Sequence, residues 1–143
     1  MSKALGIDFG EKRTGLAITD SLRIVASPLE TVPTDKLKAH LIQLVPKEQI
    51  TTLVLGEARH ADDTEAPITI KQNEFADWLR KQFPAIELVR IDERNTSQLA
   101  AEALYQGGMR KSQRQIKENL DKVSAAIILQ LFLYLTLYRY MDL

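Results

Sequence analysis

Acidic residues stand where apolar segments begin or end, and that placement is the most chemically informative feature of the chain. Asp8 closes the run Leu5-Gly6-Ile7, and Asp92 and Glu93 close residues 86–91. Asp121 opens the stretch that holds Val123, Ala125, Ile127 and Ile128. A carboxylate at the end of a buried segment is costly unless it is paired, protonated or bound to a cation. If folding gathers Asp8, Glu93 and Asp121, no basic side chain is evidently dedicated to neutralising them. Clusters of oxygen ligands suit hard divalent cations, Mg2+ or Mn2+, rather than zinc. Such ions activate water and stabilise a leaving oxygen in phosphodiester hydrolysis, which predicts a hydrolase. The same acids also have a purely structural reading. Asp8 would then accept turn amides, Asp92 and Glu93 would cap the next helix, and Asp121 would pair with Lys117 or Lys122.

Other polar features are less specific. Asp8-Phe9-Gly10 with Gly15 forms a D-x-G pattern whose glycines let backbone approach a phosphate, yet any tight hairpin uses them too. Residues 109–122 carry Arg110, Lys111, Arg114, Lys117 and Lys122 against Glu118 and Asp121. That run reads either as a phosphate-facing patch or as a solvated helix edge. His40 and His60 have no acidic or cysteine partner at ligand spacing and read as surface or helix-edge residues.

The elements that must position these groups follow from periodicity. Residues 5–8 and 15–19 read as strands joined by a turn over 10–14. Residues 24–31 contain Pro28, which fits an edge strand. Thr34 or Asp35 can cap a helix bearing Leu37, Leu41, Leu44 and Val45 inward and ending at Pro46. Residues 50–55 form a β-branched, buried strand. A polar loop over 59–67 leads to a helix with Phe75, Trp78, Leu79 and Phe83 on one face. A strand over 86–91 follows. A helix with Leu99, Ala100, Ala103 and Leu104 comes next and stops at Gly107-Gly108, and a last helix covers 117–138. Three adjacent strands and then strand–helix alternation predict a mixed α/β sheet of five strands flanked by helices on both faces. No repeat, low-complexity tract or linker interrupts residues 1–143, so one domain is expected.

Composition narrows the setting. Nineteen Lys+Arg balance nineteen Asp+Glu, so bulk positive charge cannot attract nucleic acid unless the charge is segregated. The absence of cysteine removes disulfides and thiolate metal sites, and predicts a reducing, cytoplasmic setting. No signal peptide is expected from the opening residues. The apolar stretch 125–138 is too short to cross about 30 Å of hydrocarbon and is broken by Gln130 and Thr136. It reads as a buried helix, and its tyrosine-rich end, 131–140, leaves monomer and homodimer both open.

Four segments in order resemble the YqgF/RuvX family of pre-16S rRNA nucleases and Holliday-junction resolvase-like proteins. They are Gly6-Ile7-Asp8-Phe9-Gly10 with Arg13-Thr14-Gly15-Leu16-Ala17, then Ser27-Pro28-Leu29-Glu30-Thr31. Asp92-Glu93-Arg94 with Thr96 and Ala100 follows, and the last runs from Asp121-Lys122-Val123-Ser124 through Gln130. The resemblance implies a ribonuclease H-like fold and a metal-dependent nuclease whose acids are Asp8, Glu93 and Asp121, with Asp92 beside them. Glu93 is preferred as the inward ligand because Val89 and Ile91 share its side of the strand. Arg13, Arg94, Arg110, Lys111, Arg114 and Lys117 would position phosphates by this reading. The family pattern fails at Gly56-Glu57-Ala58-Arg59-His60, where an acid replaces an expected apolar residue. Related resolvases carry a metal-binding acid near this place. Glu57 is therefore either a further metal ligand or a solvent-facing substitution.

Three functions compete at this point. The first is a Mg2+- or Mn2+-dependent nuclease acting on structured nucleic acid, precursor rRNA or branched DNA. The second is an actin- or sugar-kinase-type nucleotide binder, which needs a second D-x-G domain that this chain lacks. The third is a non-catalytic module that docks onto RNA through its basic segment.

Overall fold

The computed structural model describes residues 2–58, 67–92 and 117–141, with the side chains of 117–120 and 138–141 excepted. Alternating apolar runs become strands β1 (Lys3–Asp8), β2 (Arg13–Thr19), β3 (Ala26–Pro33), β4 (Ile50–Glu57) and β5 (Glu87–Asp92). Segments with helical spacing become α1 (Leu37–Lys47), α2 (Thr69–Gln82) and α3 (Lys117–Met141). The strands form one sheet in the order β3-β2-β1-β4-β5. β1, β2 and β3 pair antiparallel, while β4 joins β1 and β5 joins β4 in parallel. The expected mixed five-stranded sheet is therefore present.

Strand pleating divides the apolar residues between two layers. Leu5, Ile7, Leu16, Leu53 and Leu55 face one way and are covered by Leu37, Leu41 and Val45 of α1 and by Phe75, Ala76 and Leu79 of α2. Ala4, Ala17, Val54 and Ile91 face the other way, against Ala125, Ala126, Ile128 and Leu129 of α3. The residues of this second layer are small where α3 crosses the centre of the sheet. A Cβ on Gly6 would lie 2.7 Å from the Ala125 carbonyl oxygen, and one on Gly15 would lie 2.1 Å from that of Asp121. The two glycines let the helix backbone rest directly on β1 and β2.

Several local expectations shift. The third strand starts at Ala26, later than the expected residue 24. The residues just before it instead wrap the Asp20 carboxylate, which accepts hydrogen bonds from the backbone N–H groups of Leu22, Ile24 and Val25. Pro46 does not end its helix but lies within the last turn, and the chain leaves through Gln49 at φ 55°. Neither Thr34 nor Asp35 caps α1. A 3-10 turn, Thr34–Lys36, precedes the helix, and the Thr34 hydroxyl donates to the Gly10 carbonyl at 2.7 Å. The expected helix over Leu99 to Leu104 and the loop 59–66 fall outside the described residues. Among the described residues no helix is long and apolar enough to cross a membrane.

Two outcomes test this packing. Gly15→Ala forces a methyl group into the Asp121 backbone, and overpacking of this kind costs about 1–3 kcal/mol. Its denaturant midpoint is expected to fall with little change in slope; an unchanged midpoint would mean that α3 does not rest on β2 there. The Asp20 carboxyl titrates below its ordinary value, chiefly through the Val25 N–H bond, although desolvation opposes the shift. A folded-state pKa below the unfolded one gives stability that is full above the unfolded pKa and lost as pH falls through the folded pKa. Asp20→Ala should therefore melt below wild type at neutral pH, with the gap narrowing in acid. A gap independent of pH in thermal melts would refute this.

Candidate active site

The parallel strands β1, β4 and β5 all end at one edge of the sheet, where β2 begins. Asp8 is the last residue of β1 and pairs across the hairpin with Gly15 of β2. Cross-strand partners project from the same face, so the Asp8 side chain emerges beside a position that has none. Because Ala4 and Gly6 share its side of β1, that face is the one covered by α3. Asp121 lies there too, its backbone carbonyl pressed against Gly15. Two acidic residues more than a hundred positions apart are thus brought to the same corner of the sheet.

Arg13 occupies the third side of this corner. It shares the pleat of Gly15 and Ala17, and its Nε lies 3.5 Å from Asp121 Oδ2. This corrects the expectation that no cation serves the acids, since Arg13 is a partner of Asp121. The sequence could not show it, because Arg13 and Asp121 are brought together only by the α3 crossing. Gly10, Glu11, Lys12, Arg13 and Asp121 line a cleft of ≈ 280 Å³ at this point.

The remaining candidates are placed less centrally. Asp92 ends β5, is exposed, and shares the pleat of Leu88 and Arg90, which turn toward α1 and α2. Glu57 ends β4 opposite Asp92 and shares the pleat of Leu53 and Leu55, again on the α2 side. Neither follows Asp8 and Asp121 to the α3 face. Glu93, Arg94, Arg110, Lys111 and Arg114 lie outside the described residues, and only the backbone of Lys117, at the start of α3, lies within them. Among the described residues no three acidic or histidine groups are gathered closely enough to hold a metal. His40 pairs with Glu30 of β3, away from this corner.

The donor chemistry suits a hard divalent cation: Asp8 and Asp121 offer carboxylates at one corner, that of Asp121 steadied by Arg13, while the α3 backbone itself fills the space over Gly15. Glu93, the third acid expected from the sequence, lies outside the described residues.

The residues that hold this edge in shape include one not anticipated from the sequence. Gln72 of α2 is buried; its Oε1 accepts the Ala58 N–H at 2.9 Å, and its Nε2 donates to the Phe9 carbonyl at 3.4 Å. It ties the ends of β1 and β4 to α2. Thr69 assists by donating to the Ala58 carbonyl, and Thr34 bonds both Gly10 and Thr14. A signal for Gln72 was present. Residues 72, 75, 76 and 79 follow helical spacing, which puts this polar side chain on the buried face.

The chain matches the family model described as "RuvX: Holliday junction resolvase" over residues 2–135. A protein of Amoebophilus asiaticus (strain 5a2), named "Putative pre-16S rRNA nuclease", is 44% identical over 133 residues, covering 93% of this chain and 94% of the relative. One of the same name from Christiangramia forsetii is 39% identical over 134 residues, covering 94% and 99%. Among solved structures, T. thermophilus RuvC in complex with a Holliday junction superposes with a TM-score of 0.56 at 17% identity, over 90% of this chain and 92% of RuvC. A second T. thermophilus RuvC structure gives 0.53 at 13% identity, over 88% and 92%. That likeness establishes the ribonuclease H-like fold expected from the sequence. With a family model spanning nearly its whole length and relatives near 40% identity at matching length, the chain belongs to the RuvX family.

Proposed function

We propose that this chain is a divalent-cation-dependent nuclease that hydrolyses phosphodiester bonds of structured nucleic acid. Its proposed substrate is the 5′ region of precursor 16S rRNA. What supports the reading is that Asp8, paired with Gly15 on the α3 face, and Asp121, whose backbone rests on Gly15, lie at one corner of the sheet edge. The naming of the relatives supports the substrate.

In this proposal Asp8, Asp121 and Glu93 hold Mg2+ or Mn2+, with Asp92 next to the third ligand. When bound there, the ion supplies Lewis-acid stabilisation of charge on the phosphoryl oxygens. Arg13 keeps the Asp121 carboxylate oriented toward the corner. Arg94, Arg110, Lys111, Arg114 and Lys117 provide cations for the backbone on either side of the cut, which fix register without reading sequence. Glu57 is assigned no ligand role, since it shares the opposite pleat.

A branched DNA junction is the second reading, favoured by the family description and by the fold shared with junction-bound RuvC. Cutting a junction symmetrically needs two active sites. Tyr134, Leu135 and Leu137 on α3 are more than half exposed and offer apolar surface for a homodimer.

The test is Mn2+ calorimetry on wild type and Asp8→Asn, beside cleavage of a labelled pre-16S leader hairpin and a four-way DNA junction. Wild type is expected to bind the ion and cut the RNA, with cleavage abolished by EDTA. Loss of a partner that merely orients a metal ligand costs 10–100-fold, so Asp8→Asn should lose more than about 100-fold. Full metal-dependent cleavage by Asp8→Asn would sink the site assignment. Cleavage of the junction alone would select the second reading.

A further inference from the structure

Asp8 and Phe9 are neighbours about 3.8 Å apart along the chain, yet the pleat sends their side chains to opposite faces of the sheet edge. Phe9 turns toward α1 and α2, where its ring stacks on Phe75 at 4.8 Å, and Phe75 stacks on Trp78 at 5.8 Å. A cavity of ≈ 300 Å³ opens at the start of this aromatic column. Phe9, Phe75 and Leu37 supply its apolar part, and Glu11, Glu74, Lys38 and Lys71, with Thr34, its polar part. Glu11 also lines the cleft of Asp121 and Arg13, so a single turn of chain separates the two hollows.

From this geometry we propose that the cavity receives one unpaired base of the substrate strand, next to the phosphate that is cut. The proposal rests on the nuclease reading and adds to it a requirement for a single-stranded nucleotide beside the scissile bond. Three features select a base over other groups. The volume is at the lower limit for ligand cavities, enough for one small planar group. Two lysines and two acids leave the rim without net charge, with Lys71 Nζ already 3.0 Å from Glu11 Oε1. A phosphate gains little from such a rim, whereas the edge of a neutral base can both donate to carboxylates and accept from ammonium groups. Phe75 is buried between Phe9 and Trp78, so the stacking surface is the half-buried ring of Phe9, of the kind on which proteins commonly hold splayed-out bases.

A strand laid across the sheet edge would thus place its phosphate on the α3 side and its adjacent base on the α1/α2 side. The hairpin turn after Phe9 forms the ridge between them. Its shape is fixed by the Thr34–Gly10 and Gln72–Phe9 hydrogen bonds, which hold the two hollows in register.

The experiment uses oligoribonucleotides carrying 2-aminopurine at successive positions of a single-stranded flank, titrated with the full chain in EDTA. Cleavage of the same RNAs is followed in Mn2+. Quenching is expected at one position beside the mapped cut and not several nucleotides away. Phe9→Leu keeps apolar volume but removes the aromatic face, and should weaken that binding about tenfold. Glu74→Ala changes an exposed residue without threatening the fold, and should also weaken it. Both variants should raise KM while retaining kcat. Position-independent quenching, or wild-type behaviour of both variants in a protein that cuts normally, overturns the base cavity and leaves the nuclease reading standing. Failure of wild type to bind or cut any of the RNAs overturns both.

Discussion

The contact on which the rest depends is the close approach of α3 to the two central strands. An α-helix ordinarily keeps its axis well away from a sheet because side chains on both sides need room. Here Gly6 and Gly15 contribute none, and Ala4, Ala17, Ala125 and Ala126 contribute a methyl each. The helix backbone therefore comes down onto β1 and β2, and Asp121 arrives at the corner beside Asp8. A bulkier residue at position 15 would lift the first turns of α3 away from the sheet. The hydrophobic layer beneath Ile128 and Leu129 would feel the change least, and the acidic corner most.

Pleating then decides which acids can act together. Side chains alternate strictly across the sheet, so Asp8 shares a face with α3, while Glu57 and Asp92 share the opposite one with α2. The same alternation separates the acidic corner from the aromatic cavity, although they begin on adjacent residues. One strand end thus carries two chemically different surfaces, with a carboxylate on one side and an aromatic ring on the other. Thr14, Thr34 and Gln72 make this division rigid by satisfying backbone groups at the turn and at the end of β4.

Much of this was legible in the sequence because it rests on periodicity. Leu37, Leu41 and Val45, and Phe75 and Leu79, announce their buried faces by spacing, and all are buried. Pro28 correctly marked an edge strand. Asp8 and Asp121 stood out because acids at the ends of apolar runs are costly without a partner. What stayed hidden depends on contacts distant in sequence. Arg13 gives no local sign that it faces Asp121, and Thr34 looks like a helix cap until the hairpin turn competes for its hydroxyl. The start of β3 differs from expectation for a local reason instead. Leu22, Ile24 and Val25 have a strand-like composition, but the Asp20 carboxylate draws their amides into a turn.

Zero net charge is at first sight an awkward property for a protein in a nucleic-acid-cleaving family. The corner resolves part of the difficulty. Lys12 and Arg13 stand beside Glu11 and Asp121 in one hollow, and Lys38 and Lys71 beside Glu11 and Glu74 in the other. Charges of both signs interleaved at this distance cancel beyond a Debye length of about 8–10 Å. Little long-range attraction for a polyanion survives, and binding through the described surface must draw on short-range contacts. Such a surface discriminates by fit: a strand gains from it only where phosphate, cation and base each meet their own partner. The same neutrality weakens binding to duplex backbone at large, which offers charge but no base to fill an aromatic cavity.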